Sequence, residues 1–140
     1  MTKIIGYWKL EKNDENFDEY LKAVGVGMLI RQAVKRLTTY ENIRKIGDDW
    51  SLDITSTFKD VHLKFKLGEE FDETTGDGRQ MKSVFNLENK KLVHFQKATV
   101  VGGVDSVVTR ECIDDDTMQV TLDAVGKNVR TVRTFKRHAR

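Results

Sequence analysis

Apolar and polar residues alternate with a period of two over much of this chain. Trp50, Leu52 and Ile54 share one face, as do Val61, Leu63, Phe65 and Leu67, and Met118, Val120 and Leu122 stand against Gln119, Thr121 and Asp123. Side chains alternate faces along a β-strand, so each run predicts a strand with one buried side. Gly6, Trp8 and Leu10 form a similar first run. Turn signals fall between the runs, near Gly47-Asp48-Asp49, Gly68, Thr75-Gly76-Asp77-Gly78, Glu88-Asn89-Lys90, Gly102-Gly103, Asp114-Asp115-Asp116 and Gly126-Lys127-Asn128. Short strands joined by hairpins follow, roughly ten in all. So many antiparallel strands predict an all-β sandwich or closed barrel. Proline is absent, which suits a backbone committed to sheet ladders.

Only residues 16–37 or so break the pattern. Asn16 with Glu19 three positions on reads as a capping box. Phe17, Leu21 and Val24 then recur at helical spacing, Gly25-Val26-Gly27 interrupts, and Ile30, Ala33/Val34 and Leu37 form a second apolar stripe. Two helices this short need an apolar surface beneath them. Inserted between the first and second strands, they cannot belong to a sheet wall and are predicted to lie across an open end as a lid. A barrel of eight or more strands can enclose a cavity.

The last strand carries an anomaly. Val129, Thr131, Arg133 and Phe135 share one face; Arg130, Val132, Thr134 and Lys136 share the other. The first face is mostly apolar, with a guanidinium in it. Either Arg133 is an exposed arginine on a weakly amphipathic strand, or it is enclosed and needs a counter-charge. Arg110 is placed in the same way, sharing its face with Val108 and Cys112.

Composition narrows the classes. The 140 residues suit one domain, here taken as residues 1–140. Lys+Arg 24 against Asp+Glu 22 gives a formal charge of +2, too balanced for a nucleic-acid coat. The lone Cys112 cannot form an internal disulfide and reads as a small buried residue, which fits a reducing compartment. No secretory leader or membrane-spanning apolar run is visible. His62, His94 and His138 show no metal-ligand spacing and read as surface or core residues. Asp114-Asp115-Asp116 reads as a hairpin turn and Lys136–Arg140 as a solvated basic end. No catalytic motif or cofactor loop appears.

Several ordered segments resemble one family. Gly6-Tyr7-Trp8-Lys9-Leu10, Asn16-Phe17-Asp18-Glu19-Tyr20-Leu21, Gly25-Val26-Gly27, Arg31-Gln32, Ser56-Thr57-Phe58-Lys59, the run from Phe65 to Arg79, Leu92–Lys97, Thr109-Arg110-Glu111 and Arg133-Thr134-Phe135 are similar to segments of the intracellular lipid-binding proteins. The stretch from Phe65 to Arg79 looks closest to the heart, adipocyte and myelin fatty-acid-binding branch. The resemblance implies a ten-stranded antiparallel β-barrel of up-and-down topology, a β-clam capped by a helix-turn-helix lid. It implies a monomeric intracellular carrier of a long-chain fatty acid, cytoplasmic and also nuclear, with no enzymatic activity, no cofactor and no nucleic-acid partner.

That family holds the ligand carboxylate with two arginines and a tyrosine. The arginines carry over onto Arg110 and Arg133; the tyrosine position is Phe135, which lacks the hydroxyl. Arginine suits the role because its planar fork bonds a carboxylate in bidentate fashion. Phe17, Tyr20, Leu21, Val24, Phe58, Val120 and Leu122 match positions lining the acyl tail, where ordinary core packing is the alternative. Met28, Lys59, Asp77 and Arg79 match the portal, where a solvated turn with a local ion pair is the alternative for Asp77 and Arg79. Ligand uptake is expected at the lid, near Val24, Met28 and Phe58. Lys22, Arg31, Lys35, Arg36 and Lys59 would form a basic patch able to touch anionic membrane, or a plain solvated face. A retinoid or other hydrophobic carboxylate is the alternative ligand. A structural membrane-associated protein is the alternative class.

Overall fold

A computed structural model describes residues 2–139. In chain order the elements are β1 (Gly6–Asn13), α1 (Phe17–Ala23), α2 (Met28–Val34), β2 (Tyr40–Ile46), β3 (Asp49–Thr55), β4 (Val61–Phe65), β5 (Phe71–Thr74), β6 (Gln80–Glu88), β7 (Lys91–Ala98), β8 (Ser106–Asp114), β9 (Thr117–Ala124) and β10 (Val129–Arg137). The ten strands form one antiparallel sheet in the order β4-β3-β2-β1-β10-β9-β8-β7-β6-β5. It curls into a nearly closed barrel. Pairing of β1 with β10 joins the two halves, bringing Leu10 opposite Phe135 and Asn13 opposite Arg133. All other ladders join sequence neighbours, β1 and β2 through the two helices and the rest through short turns.

Hydrogen-bonded closure stops at β4 and β5; among the described residues no ladder joins them. Aromatic rings span the seam instead. Phe65 of β4 stacks on Phe85 of β6 at 3.8 Å between centroids, on Phe71 of β5 at 6.1 Å and on Trp50 of β3 at 6.2 Å. Phe85 in turn stacks on His94 at 3.9 Å. Dispersion between flat rings thus replaces backbone pairing at the one break in the wall.

Burial divides into two apolar clusters. One fills the end of the barrel away from the helices, with Trp8, Ile43, Trp50, Leu52, Phe85, Leu92, Met118, Val120 and Phe135 at or below 2% exposure and Phe65 and Val108 at 6%. The other lies under the lid: Phe17, Tyr20, Leu21, Val24 and Val26 pack with Ala124, with Leu122 and Val129 at its edge. The predicted strand faces hold, since Met118 and Val120 are buried while Thr131 and Phe135 flank Arg133 on the inner face. Leu67 departs from its run: it lies beyond β4 in the turn at Gly68, 37% exposed.

The helices form where predicted, with two corrections. Asn16 occupies the N-cap position of α1, but its side chain makes no capping hydrogen bond, so no capping box forms. The Asp14 carboxylate instead accepts the Asn16 backbone N–H at 3.0 Å. The second helix ends at Val34, short of Leu37, and buries no residue fully; Ile30 and Val34 only lean on the lid cluster. Its place depends on Arg31, whose guanidinium donates to the Val26 carbonyl at 2.8 Å and to Asp18 of α1 at 3.2 Å.

The basic C-terminus is also more than a solvated end. Arg137 completes β10, lies 4.2 Å over the Trp8 ring, and donates to the carbonyls of Lys3, Ile5 and Asp115. Gly6 makes room for it: with φ at +145°, a Cβ there would fall 2.4 Å from the Arg137 guanidinium. Arg140 lies outside the described residues.

Because Phe65 closes the seam with rings alone, Phe65→Ala should lower unfolding free energy by about 3–5 kcal/mol. Urea unfolding followed by tryptophan fluorescence checks this.

Candidate functional site

Between the two apolar clusters the barrel is polar. Arg110 on β8 and Arg133 on β10 both stand opposite Val120 of β9, so the three form one row across three strands. Two ladder steps separate the guanidiniums, roughly 10 Å of backbone. Leu92 extends the row beyond Arg110, and Asn13 extends it beyond Arg133.

The two arginines are answered differently. Glu41 reaches Arg110 from β2 and takes it in a bidentate bond, with Nε at 2.8 Å and Nη2 at 3.2 Å from its two oxygens. Both side chains are almost wholly buried, at 4% and 2% exposure. The remaining Arg110 nitrogen, Nη1, is buried without a hydrogen-bond partner among the described residues. Arg133 forms no ion pair within 4 Å among the described residues. Its Nε donates to the Asn13 side-chain oxygen at 2.7 Å, and Nη2 meets the Thr39 hydroxyl at 3.5 Å. The guanidinium lies 4.6 Å from the Phe17 ring centre and 5.6 Å from that of Phe135. Burial pushes its pKa down to about 10, against the pull of Glu41 and with a push from Arg110. The protein therefore encloses a guanidinium that its own carboxylates leave under-neutralised.

A second buried group sits on the opposite wall. Glu73 of β5 accepts from Ser83 at 2.7 Å, His94 Nε2 at 2.8 Å and Gln96 at 3.2 Å. Burial raises the Glu73 pKa, but these donors outweigh it and hold the carboxyl below its ordinary range. His94 is pushed down by burial more than Glu73 pulls it up. Its Nδ1 is buried without a partner, which fits a neutral ring protonated on Nε2.

A cavity of about 170 Å³ runs between these groups, bordered by Glu41, Glu73, Arg110 and Arg133 within and by the lid above. Phe17, Tyr20, Leu21, Phe58, Lys59, Asp77, Arg79, Val120 and Leu122 all border it. Val24 and Met28 do not: Val24 packs in the lid cluster, and Met28 is 67% exposed on α2. Phe135 is wholly buried beneath Arg133, offering it a ring face in place of a hydroxyl. Asp77 and Arg79 form an ion pair at 2.7 Å at the mouth. The Tyr20 hydroxyl bonds to Ser106 of β8, tying the lid to the wall; burial raises its pKa. Within the basic patch, Arg31 and Lys35 both face Asp18, at 3.2 and 3.5 Å, which leaves Lys22, Arg36 and Lys59 exposed without that neutralisation.

Residues 5–138 match the lipocalin / cytosolic fatty-acid binding protein family. The chain belongs to that family. Its relatives include fatty acid-binding protein homolog 6 of Caenorhabditis elegans, 45% identical over 122 residues, 87% of this chain and 89% of the relative. Sodium/calcium exchanger regulatory protein 1 of Doryteuthis pealeii is 40% identical over 134 residues, 96% of both chains. A solved structure of Schistosoma mansoni fatty acid binding protein, in complex with arachidonic acid, superposes with a TM-score of 0.89 at 36% identity, covering 99% of this chain and 98% of that one. The family is one of lipid-binding carriers, and this barrel follows it in fold.

Within this barrel, Glu41 and Glu73 are not among the residues the sequence singled out, although a signal is there. Glu41 shares its strand face with Ile43, and Glu73 shares its face with Phe71. That is the same anomaly that singles out Arg133. On β2 the alternation is masked, because Glu41, Asn42 and Ile43 are all buried.

Glu73 and His94 predict acid sensitivity. Both have folded pKa values below their ordinary 4.5 and 6.5, so the unfolded chain binds more protons on the acid side. Their contribution to stability is complete above the ordinary histidine value. It is lost as pH falls, first through His94 and then through Glu73. The melting temperature should fall between pH 7 and pH 4, and Glu73→Gln should flatten the part below pH 4.5. Thermal scans at three pH values check it.

Proposed function

We propose that this chain is a cytoplasmic carrier that solubilises a long-chain fatty acid inside the barrel, with the carboxylate at Arg133 and with Arg110 beside it. The carrying observation is Arg133: an enclosed guanidinium, depressed to about 10 by burial, with no carboxylate within ion-pair reach among the described residues. A fatty-acid carboxylate supplies Arg133 with a direct partner, and Arg110 Nη1 offers one further donor. The Schistosoma relative with arachidonic acid supports the same ligand class.

The acyl chain would lie against Phe17, Leu21, Val120 and Leu122, which already border the cavity. Burying roughly a dozen methylenes at ~0.8 kcal/mol each gives about 10 kcal/mol of gross driving force. Lost ligand freedom offsets several kcal/mol. Ligand pockets for such molecules run to about 300–1,000 Å³. The 170 Å³ enclosed here is smaller, so uptake requires lid side chains such as Phe58, Leu37 and Val34 to swing outward. Phe58 is 43% exposed and α2 buries no side chain fully, so this part of the wall is the least costly to move.

Lipid-free protein titrated with oleate should bind it saturably, near one per chain, at submicromolar affinity. Arg133→Gln should weaken oleate by about tenfold or more and methyl oleate little. The same variant should raise the melting temperature of the lipid-free protein by a few degrees, because it removes an enclosed charge. An equal loss for acid and ester, or no saturable binding of oleate, would overturn the reading.

A further inference from the structure

The charges inside the barrel balance without any ligand. Glu41 and Glu73 are the carboxylates bordering the cavity interior; Arg110 and Arg133 are the guanidiniums. His94, which also borders it, is held toward its neutral form by burial, and Asp77 and Arg79 neutralise each other at the mouth. Lys59 adds a charge only at the exposed rim. A fatty-acid anion therefore adds a negative charge to an interior that is already neutral. Its closest cationic pair is also half taken, since Glu41 covers Nε and Nη2 of Arg110 and leaves Nη1 alone.

Glu41 also changes which head groups the site can satisfy. An ionised carboxylate only accepts hydrogen bonds, and it meets Glu41 as a like charge. A hydroxyl both accepts and donates. It can accept from Arg133 or from Nη1 of Arg110 and donate to a Glu41 oxygen, without adding charge. We propose that Glu41 is a specificity-determining residue: it acts as a built-in counter-carboxylate that restrains fatty-acid affinity and admits long-chain lipids with an uncharged hydroxyl head, such as fatty alcohols. The proposal rests on the reading that lipid occupies the barrel, and it names the residue that sets the head-group range.

Oleate and oleyl alcohol, matched in chain, separate the two contributions. Both are titrated by calorimetry against the lipid-free wild type and Glu41→Gln. The wild type should bind oleyl alcohol within about tenfold of oleate. Glu41→Gln should strengthen oleate by about tenfold or more and leave the alcohol unchanged or weaker. An unchanged ratio of the two affinities, or a shift toward the alcohol, overturns the proposal.

Glu41→Gln leaves Arg110 buried without its partner and can impair folding, so the double variant Glu41→Gln/Arg110→Gln serves as the second arm. It removes both charges and keeps Arg133. Oleate affinity within about threefold of wild type supports the proposal. A loss of tenfold or more for oleate, with the alcohol still bound, makes Arg110 the head-group anchor and overturns it. Wild type that binds oleate but not the alcohol overturns this inference and leaves the carrier function standing. Wild type that binds neither overturns both.

Discussion

A charge enclosed by a β-barrel is cut off from bulk water, and in this protein four ionised side chains share one such interior. Glu41 and Arg110, from β2 and β8, meet across the cavity in a bidentate bond. Glu73 gathers three donors from β6 and β7. Arg133 is left with neutral partners and two aromatic faces. A buried pair of this kind is weak evidence for stability, because desolvation consumes most of the attraction. It is stronger evidence for position: each bond holds only if the strands that carry it are in register and the barrel is closed to the right circumference.

The rest of the architecture keeps that interior enclosed. Below it, Trp8, Trp50, Phe85, Met118 and Phe135 fill one end of the barrel. Above it, α1 presses Phe17, Tyr20 and Leu21 onto β9 and β10, and Tyr20 is tied to Ser106. The wall is least rigid at two places. One is the β4–β5 seam, held by stacked rings rather than a ladder. The other is α2, held by Arg31 and partial packing. A carrier needs a wall that persists and a lid that yields, and backbone ladders and partly packed helices differ in stability in that direction.

The sequence also sets the balance of charge inside the barrel. Phe135 sets a ring beneath Arg133, and Glu41 supplies a carboxylate in front of Arg110. With Arg110 half covered and Arg133 on neutral partners, the polar interior offers a mixed set of donors and acceptors.

The sequence by itself determined the elements. Period-two alternation, turn residues and the interrupted helical stripe locate ten strands and two helices, because each signal reports on a few neighbouring residues and the backbone geometry they adopt. It also marked Arg133 and Arg110 as charges on apolar faces. Only the tertiary structure decided which charge answers which. Glu41 and Arg110 are 69 residues apart, and the face Glu41 shares with Ile43 marks it as out of place without naming its partner. The rings across the β4–β5 seam and the clamp of Arg137 on Trp8 are of the same kind. Each depends on how far the sheet curls before its edges meet, a property of the whole barrel that no short stretch of residues encodes.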